Sequence, residues 1–350
     1  DNGLMNVLDQ IVARAARRPA HVVMCEGDDA RVVQAAAKAV QDGIARITLV
    51  GDAAAITDRI AGEGVDRQLL DIVDPATSPL LPELMRSLQE TRPRARATPE
   101  KIRADALQPL HFANLMVRTG HACGSVAGAV HTSPDVIRSA IRIIGRAPDQ
   151  PVLSSLFLMH FDRPHHPVQG GMIFADCAVN IDPTDTQLAD ITLNAAHNAR
   201  FLLGEEPRIA MLSFSTAGSA RHARTEKMRR AARLVKQREP GLLIDEDMQL
   251  DAAVVPSVAA RKAPGSQIRG RANVLIFPDL DAGNIGYKLA ERFGGAVAIG
   301  PLLQGLRHPA NDLSRGCSSR DIYYAIAVTS VQAGADVDAV SPDQQKHNEM

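Results

Sequence analysis

Short apolar runs alternate with longer amphipathic segments along the chain, and this order predicts a parallel β-sheet. Residues 21–24 form a short β-rich run, residues 30–42 form an alanine-rich helical segment, and residues 47–50 are apolar again. A strand, a loop, a helix and a second strand in this order form a βαβ unit. The sequence therefore predicts an α/β fold.

The same alternation appears twice more, and we expect each recurrence to be a further βαβ unit. The first recurrence has strands at 209–214 and 242–244, with a basic helix between them. The second has strands at 272–277 and 296–299, with a helix at 285–293 between them. Because parallel strands are joined by crossover helices, most of the sheet structure is expected to be parallel.

The length of the chain and its breaks in pattern indicate more than one domain. A chain of 350 residues exceeds the size at which a single core keeps growing, so two domains or one large α/β unit are expected. We place a domain boundary at 145–151, where a predicted helix ends in a cluster of Gly, Pro and Asp. Residues 91–100 and 161–171 are rich in loop-forming residues and are predicted to be irregular.

The composition excludes several classes of protein. A formal net charge of −1 provides no excess positive field for nucleic acid. No stretch approaches about 18 consecutive apolar residues, and residues 1–19 lack an apolar core, so we expect neither a membrane span nor a signal peptide. The cysteines lie far apart without zinc or disulfide spacing, which indicates a reducing cytoplasm: Cys25, Cys123, Cys177 and Cys317.

The strongest local feature is the segment 311–321, which precedes a long apolar run. Ser318 or Ser319 is suited to cap the following helix, and Asp321 falls in its first turn, where negative charge suits the helix dipole. Free backbone N–H groups at such a helix start bind anions, and Arg315 adds a fork for phosphate. The alternative interpretation, a capped helix with a solvated arginine, is favoured by the spacing alone.

Two further loops have the composition of anion-binding loops. Residues 124–135 combine small residues with the hydroxyls of Thr132 and Ser133, and Arg138 follows about one helical turn later. Residues 213–220 form a hydroxyl-rich loop at the carboxyl end of a predicted strand, where ligands of α/β proteins commonly bind. A buried small-residue strand with an ordinary cap is the preferred interpretation of the first loop, and a polar turn explains the second loop equally well. Neither contains a Walker A or GxGxxG motif.

Three other groups of residues have simpler interpretations. His165 and His166 are adjacent side chains in a predicted loop with no cysteine nearby, which favours a surface loop over a metal site. Cys317 stands at a helix start where its pKa is open to being lowered, but no neighbouring histidine supports it as a nucleophile. A solvated loop or ion pairs between domains are preferred over a magnesium site for the acidic cluster, which consists of Asp245, Glu246, Asp247 and Asp251.

Joined in order, these segments resemble the phosphate acetyl/butyryltransferase family, and the resemblance covers nearly the whole chain. The acetyl-transferring branch is the better match because of the block at 277–288 and the Asp-Leu-Ser-Arg-Gly-Cys-Ser loop. The family-like stretches are 25–31, 175–180, 211–216, 262–266, 276–280, 283–288 and 312–318.

The resemblance implies the fold and the general biochemistry. It implies two α/β domains, each a mainly parallel sheet flanked by helices, similar to the isocitrate and isopropylmalate dehydrogenases. Domain I would comprise residues 1–148 and 305–350, domain II residues 149–304, and the active site would lie in a cleft between them. The protein would be a cytoplasmic homodimer with coenzyme A as a substrate, without a permanently bound cofactor or a metal ion.

The resemblance also implies a set of site residues. The family's catalytic positions correspond to Ser314, Arg315, Asp321 and Arg138. The predicted substrate-binding residues are Arg92, His131, Thr132, Ser133, Ser213, Ser215, Thr216, Asn284, Lys288, Asn311 and Asp312.

The implied reaction transfers an acetyl group reversibly between coenzyme A and inorganic phosphate. Asp321 is the candidate general base for the thiol. Arg315, Arg138 and Ser314 are the candidates that stabilise negative charge on the carbonyl oxygen and the leaving phosphate. Direct transfer in a ternary complex is preferred over an acyl-enzyme, since Ser314 has no histidine partner in the motif.

Three departures from the family pattern leave other interpretations open. Cys123 replaces an aspartate, Glu246 replaces a glycine, and the loop at 163–171 is unlike the common pattern. The first and third leave the acyl preference open between acetyl, propionyl and butyryl groups. A non-catalytic acetyl-CoA-sensing module and a dehydrogenase are the alternatives from other functional classes.

Overall fold

The computed structural model of the protein describes residues 6–91 and 98–339. In chain order, the strands of the described residues are β1 (Ala20–Met24), β2 (Ala45–Val50), β3 (Asp71–Val73), β4 (Gly124–Ala127), β5 (Ser154–Phe161), β6 (Gly170–Ala175), β7 (Arg208–Leu212), β8 (Leu243–Met248), β9 (Val274–Ile276), β10 (Val297–Gln304) and β11 (Ala310–Asp312).

The helices alternate with these strands over most of the chain. They are α1 (Val7–Arg17), α2 (Ala30–Gln41), α3 (Ala53–Gly62), α4 (Leu81–Glu90), α5 (Pro99–Ala106), α6 (Pro109–Arg118), α7 (Ser133–Ile143), α8 (Asp185–Leu203), α9 (Ala223–Arg238), α10 (Leu250–Val254), α11 (Pro256–Lys262), α12 (Leu280–Arg292) and α13 (Ser319–Ala339). None of the helices in the described ranges combines the length and the apolar character that a membrane span requires.

The chain divides into two compact units. The first unit comprises Asp9–Ala147 and the described residues from Leu306 onward, and the second comprises Pro148–Gly305 together with the described residues up to Leu8. Each unit contains strands and flanking helices, so the predicted α/β fold class is confirmed.

The sheet of the first unit is entirely parallel, in the strand order β3-β2-β1-β4-β11. Val22 of β1 pairs with Gly124 of β4, and Asn311 of β11 pairs with Val126 of β4. Parallel pairing places the carboxyl ends of β1, β4 and β11 at one edge. The loops that follow these three strands therefore share that edge, where ligands bind in α/β proteins.

Local capping fixes where the helices of the first unit begin. Asp29 accepts a hydrogen bond from the Arg31 N–H at the start of α2, and Thr132 accepts one from the Asp135 N–H at the start of α7. Six alanines and valines of α2 are buried, whereas Gln34, Lys38 and Gln41 are exposed. The first predicted βαβ unit is thus formed by β1, α2 and β2.

The sheet of the second unit is mixed, in the order β10-β5-β6-β9-β7-β8. Strands β6, β9, β7 and β8 are parallel, so the βαβ unit predicted for residues 209–244 is present. The prediction of a third βαβ unit is wrong, because β10 does not pair with β9 and instead pairs antiparallel with β5. Strand neighbours depend on contacts between distant segments, which periodicity does not reveal.

The loop predicted at 161–171 is the connection of a β-hairpin, since β5 and β6 pair antiparallel on either side of it. Aromatic and sulfur-containing side chains from these strands contribute to the core of the unit, including Phe157, Met159 and Phe174. The acidic cluster is not a loop: Asp245, Glu246 and Asp247 lie within β8. Strand formation there is a tertiary effect, since acidic residues have low β propensity.

Candidate active site

Three loops of the first unit meet at the carboxyl edge of its sheet. One loop contains Glu26 and follows β1, the second spans 128–132 and follows β4, and the third spans 313–318 and follows β11. Two side chains make the hydrogen bonds that hold the second and third loops in place: Glu26 of the first loop, and Arg31 in the first turn of α2, which follows that loop.

The Glu26 carboxylate lies inside the second loop and is 2% exposed. It accepts hydrogen bonds from four consecutive backbone N–H groups: Gly128 at 3.0 Å, Ala129 at 2.9 Å, Val130 at 3.0 Å and His131 at 2.8 Å. The His131 ring nitrogen Nδ1 lies a further 2.8 Å from Glu26 Oε1. Such a set of donors compensates for the lost hydration of a buried charge.

These contacts control the protonation of both partners. Burial favours the neutral form of Glu26, but the hydrogen bonds from the His131 ring and the loop N–H groups outweigh it and lower the pKa of the carboxyl. The hydrogen bond to Glu26 in turn raises the pKa of His131 against the opposing effect of burial. The pair therefore favours a carboxylate beside an imidazolium.

Arg31 connects all three loops. Its guanidinium donates to the backbone oxygens of Arg315 at 2.8 Å and Cys317 at 2.9 Å, and to that of Ala129 at 2.9 Å. The guanidinium also forms an ion pair with the Asp29 carboxylate at 2.8 Å. The hydrogen bond in this ion pair is the main cause of the raised pKa of Arg31. A planar guanidinium with five N–H donors is suited to donating hydrogen bonds to several acceptors at once.

The third loop carries two of the predicted catalytic residues on its exposed side. Ser314 and Arg315 are exposed, and the Gly316 N–H donates to Ser314 Oγ at 3.3 Å. Among the residues that the structure describes, no ion-pair or hydrogen-bond partner is recorded for the Arg315 guanidinium. Its backbone is held by Arg31 while its charge faces solvent, which leaves the guanidinium available for an anionic substrate.

The predicted cap of α13 is formed by Ser318. The Asp321 N–H donates to Ser318 Oγ at 3.2 Å, while the Ser318 N–H and hydroxyl each donate to Asp321 Oδ2 at 2.8 Å. This reciprocal arrangement is a capping box with aspartate in the third position. Both hydrogen bonds from Ser318 end on Oδ2, so Oδ1 of Asp321 retains its accepting capacity.

The expectation that Cys317 is open to a lowered pKa is wrong. The thiol is buried, and burial raises its pKa to about 11 although Arg31 acts in the opposite direction. A neutral thiol is a poor nucleophile. Cys317 therefore contributes packing, and its backbone oxygen contributes an acceptor for Arg31.

Arg138 lies on α7 beside a cavity of about 200 Å³ in the first unit. Asp135 accepts from the Arg138 guanidinium at 3.0 Å and from the Thr132 hydroxyl at 2.7 Å. The cavity is lined by polar and cationic side chains together with one leucine: Gln108, Leu110, His111, His131, Asp135, Arg138, Ser139 and Arg142. The predicted substrate-binding residue His131 and the predicted catalytic residue Arg138 thus line one cavity.

Two predicted substrate-binding residues of β11 are buried. Asn311 donates from Nδ2 to Thr329 Oγ1 at 2.8 Å and to Gln332 Oε1 at 2.7 Å, which ties β11 to α13. Asp312 is 0% exposed, and neither carboxylate oxygen has a hydrogen-bond partner of good geometry among the described residues. Burial raises the pKa of Asp312 to about 7, although the Ser133 hydroxyl and the Leu313 N–H oppose it. Asn311 therefore links β11 to α13, and the buried carboxyl of Asp312 favours its protonated form.

Asp312 is expected to make the stability of the protein depend on pH. The folded state binds its proton up to a pKa of about 7, whereas the unfolded state releases it near the ordinary value of 3.8. Between these values the folded state holds more protons, so the free energy of unfolding falls as pH rises, by up to about 1.4 kcal/mol per pH unit from this group.

Denaturant unfolding of wild type and Asp312→Asn between pH 4 and pH 8 measures this contribution. The free energy of unfolding of the variant, relative to that of the wild type, should increase as pH rises across that range. Glu26, whose pKa is lowered, has the opposite sign, and it is present in both proteins, so most of its contribution cancels in their difference. A difference that is independent of pH would show that Asp312 ionises normally in the folded state.

The predicted hydroxyl loop belongs to the second unit, where an acidic residue of β8 organises it. Asp247 accepts from Ser213 Oγ at 2.6 Å, from Ser215 Oγ at 2.8 Å and from the Arg229 guanidinium at 2.7 Å. Burial opposes these hydrogen bonds, which nevertheless lower the pKa of Asp247. Thr216 Oγ1 donates to Gln249 Oε1 at 3.1 Å. These hydrogen bonds attach the loop to β8 and to Gln249, which follows β8.

Two other predicted residues of the second unit lie on α12. Lys288 Nζ donates to Asn284 Oδ1 at 2.7 Å, and Asn284 Nδ2 donates to the backbone oxygen of Cys177 at 3.1 Å. Lys288 remains on the exposed side of the helix. The last predicted residue, Arg92, lies outside the described residues.

Sequence reasoning missed Glu26 and Arg31 as organisers of the site. Both lie in the family-like stretch 25–31, immediately after a predicted strand. A carboxylate and an arginine after a strand near the N-terminus are the available signal, since the carboxyl ends of parallel strands converge. Their partners, however, are about 100 and 285 residues away along the chain.

One group of side chains has the composition of a metal site. The ligand atoms of Cys25, Glu26 and His131 lie within 4.8 Å of one another. Burial raises the pKa of the Cys25 thiol well above its ordinary value, and both oxygens of Glu26 already accept N–H donors. Because metal ligation requires a thiolate and free carboxylate lone pairs, this arrangement favours the hydrogen-bonded pair of Glu26 and His131 over a metal ion.

Comparison with solved structures agrees with the observed architecture. A phosphotransacetylase from Streptococcus pyogenes has a TM-score of 0.87 at 37% identity, covering 94% of this chain and 98% of that one. A protein from Salmonella typhimurium, titled a putative 4-hydroxythreonine-4-phosphate dehydrogenase, has a TM-score of 0.51 at 13% identity, covering 90% and 99%. The latter likeness concerns the fold alone, and it confirms the dehydrogenase-like fold class.

Comparison of sequences identifies the family. The family model described as phosphate acetyl/butaryl transferase matches residues 6–330. A phosphate acetyltransferase from Paracoccus denitrificans is 46% identical over 328 residues, which are 94% of this chain and 99% of that protein. With most of its length matched in both comparisons, and with the loops at 128–132 and 313–318 held at one edge of a parallel sheet, this chain belongs to the phosphate acetyl/butaryl transferase family.

Proposed function

We propose that the protein catalyses the reversible transfer of an acetyl group between coenzyme A and inorganic phosphate. The observation that carries the proposal is the third loop, in which an exposed arginine, Arg315, stands six residues before a carboxylate, Asp321, at the start of α13. The reaction needs both a cation for the phosphate and a base for the thiol. The acetyl group follows the name of the Paracoccus denitrificans relative.

In the direction of acetyl-CoA synthesis, the reaction begins at the thiol. Asp321 accepts the thiol proton, and the sulfur attacks the carbonyl carbon of acetyl phosphate. A carbon–sulfur bond forms, the carbon–oxygen bond to phosphate breaks, and the electron pair leaves with the phosphate oxygen. The proton held by Asp321 then passes to phosphate or solvent.

The position of Asp321 suits a general base. Its Oδ2 is held by two hydrogen bonds from Ser318, which fix the orientation of the carboxylate, while Oδ1 keeps lone pairs for a substrate proton. Part-exposure allows a substrate to reach it. A residue that is both oriented and accessible meets the geometric requirement for proton abstraction.

The positive charges suit the developing anion. Attack on the carbonyl places negative charge on its oxygen and on the leaving phosphate, and fixed cationic donors stabilise both. Arg315 is exposed on a loop whose backbone oxygens accept hydrogen bonds from Arg31. The backbone of Arg315 is therefore held in place while its side chain remains exposed. Arg138 lies at the cavity of the same unit.

Direct transfer is supported by the surroundings of Ser314. Its Oγ accepts from the Gly316 N–H, and no histidine of the described chain hydrogen-bonds to it. A serine nucleophile needs an adjacent base. We therefore infer a ternary complex of both substrates and no acyl-enzyme.

Formation of acetyl phosphate from acetyl-CoA and phosphate by the purified protein tests the function. Acetyl-, propionyl- and butyryl-CoA are compared, and acetyl-CoA is expected to be the best of the three. Binding of acetyl-CoA without turnover would indicate a sensing module. Preference for the butyryl ester would assign the other branch of the family, and neither binding nor turnover would refute the proposal.

Asp321→Asn is expected to lower kcat by about 10²-fold, because the amide cannot accept the thiol proton. The amide retains an oxygen for the Ser318 donors, so the thermal unfolding temperature should change little. Steady-state kinetics with both substrates saturating measures the effect.

Ser318→Ala is the matched control, since it removes the side-chain cap and leaves the carboxylate. It should cost about 1 kcal/mol of stability and much less activity than Asp321→Asn. Equal kinetic losses in the two variants would assign Asp321 to helix capping alone.

We also infer that the protein is a homodimer that holds no permanent cofactor and uses coenzyme A only as a substrate. Support for a dimer comes from α12, where Ile285, Leu289 and Phe293, at its end, are 56%, 51% and 87% exposed in the single chain and recur every four residues. An exposed apolar stripe of this kind marks a protein contact. Light scattering in solution measures the mass, and a monomer would refute this inference. The cytoplasmic location remains a prediction.

A further inference from the structure

The His131 ring lies between a buried carboxylate and the cavity of α7. On one side Nδ1 contacts Glu26 Oε1 at 2.8 Å, and the residue also lines the cavity beside Arg138. The second ring nitrogen, Nε2, lies on the opposite edge of an imidazole from Nδ1. No group of the described residues hydrogen-bonds to Nε2, so this nitrogen keeps its capacity to bind a ligand at the cavity that His131 lines.

We propose that Glu26 and His131 form a carboxylate–imidazolium pair that binds the phosphate group of inorganic phosphate or acetyl phosphate through His131 Nε2, beside Arg138. The pair would act on the phosphate-bearing substrate and not on the thiol. This assignment rests on the proposed function, since it names the group that holds one of its substrates.

The hydrogen bonds of the second loop explain why the pair is suited to an anion. Four backbone N–H groups stabilise the negative charge of Glu26, and the carboxylate can then stabilise a positive charge on His131. A protonated imidazole has donors at both nitrogens, one for Glu26 and one for a ligand. A carboxylate behind the ring also fixes its orientation, as in histidines that hold metals or serve as bases.

Other charged groups around His131 modify the pair without replacing it. Asp135 faces the same cavity, but it accepts hydrogen bonds from Thr132 and Arg138, which neutralise part of its charge. Arg142, which lines the same cavity, forms an ion pair with Asp105, with 3.9 Å between the guanidinium nitrogen and the carboxylate oxygen. The groups that face His131 or Glu26 from the neighbouring elements are Cys25, Asp28 and Arg31 near β1, His111 on α6, Asp135, Arg138 and Arg142 on α7, and Asp312 on β11.

Two substitutions of His131 separate the two ring nitrogens. In His131→Asn the short amide can donate to Glu26 in place of Nδ1, but it presents nothing at the position of Nε2. In His131→Gln the longer amide reaches toward the position of Nε2. We expect His131→Asn to raise the KM for inorganic phosphate at least about tenfold while leaving the KM for acetyl-CoA within about twofold, and we expect His131→Gln to recover part of the loss.

The pH profile distinguishes binding from a structural role. The wild-type kcat/KM for phosphate should fall as pH rises through the His131 pKa, and this dependence should be absent from His131→Asn. Titration of phosphate itself affects both proteins and cancels in their ratio. His121→Asn is the control, because His121 pairs with a partly exposed carboxylate, Glu83, at 3.0 Å and lines no part of this cavity.

Imidazole NMR provides a readout that does not depend on turnover. Addition of inorganic phosphate should shift the His131 ring signals of the wild type and leave those of His121 unchanged. An unchanged KM for phosphate in a folded His131→Asn protein, together with an unshifted His131 signal, would overturn the pair as a phosphate ligand. A phosphate-dependent shift in a protein without acetyl transfer would refute the proposed function and retain the binding site.

Discussion

Replacing Arg315 by alanine is expected to lower the rate of acetyl phosphate formation by about 10²- to 10³-fold, because the transition state would lose a cationic donor. The side chain is exposed and has no recorded partner among the described residues, and the contact that holds the loop is made by its backbone oxygen. The free energy of unfolding should therefore stay within about 0.5 kcal/mol of the wild type. Initial rates at saturating phosphate and acetyl-CoA, together with urea unfolding, measure both quantities.

Arg320→Ala is the matched control for the loss of a positive charge in the same segment. Arg320 lies in the first turn of α13, and its guanidinium is 5.5 Å from the ring centre of Tyr324. Its removal should change the rate less than about threefold, as expected for a helix-surface arginine with no assigned substrate contact. Arg315→Ala with wild-type activity, or a loss that Arg320→Ala reproduces, would contradict the catalytic role.

Gly128→Ala is expected to destabilise the protein by about 2–4 kcal/mol, the sum of about 1 kcal/mol from the backbone conformation and about 1–3 kcal/mol from overpacking. Gly128 has a φ of +112°, which residues with a side chain rarely adopt. An added Cβ would overlap Asp312 Oδ1 and would lie 2.7 Å from the backbone nitrogen of Leu313. Backbone strain and overpacking therefore act together at the point where the second loop meets β11.

Gly43→Ala separates these two effects. Gly43 also has a positive φ, +68°, but no atom lies within 4 Å of an added Cβ. This variant should lose only about 1 kcal/mol from the backbone conformation. Unfolding curves of both variants provide the comparison, and similar losses would show that the contact with Asp312 relaxes freely.

The segment 311–321 illustrates how far local pattern can predict a site. The spacing of serine and aspartate predicts a cap, and the structure shows Ser318 in that role. The two interpretations of the segment are compatible, because the same hydrogen bonds that cap α13 orient the Asp321 carboxylate. Local hydrogen bonds span three residues, which is why sequence spacing reveals them.

Sequence spacing does not predict contacts between residues that are far apart along the chain and meet at the edge of the sheet. Glu26 and His131 are separated by 105 positions, and Arg31 and Arg315 by 284. The same limit explains the error over Cys317. A cysteine at a helix start suggests an activated thiol, but burial dominates its pKa, and burial is a property of the packed chain.

The sequence by itself determined the α/β class, the first two βαβ units and the capped start of α13. Its family-like stretches also indicated the candidate site residues. These features depend on periodicity, capping and order, all of which are local. Only the tertiary structure decided that β10 pairs antiparallel with β5, that Ser213 and Ser215 bond to Asp247, and that Glu26 holds the loop at 128–131. Each of these depends on which distant segments meet and how much water they exclude, and both are settled only when the whole chain packs.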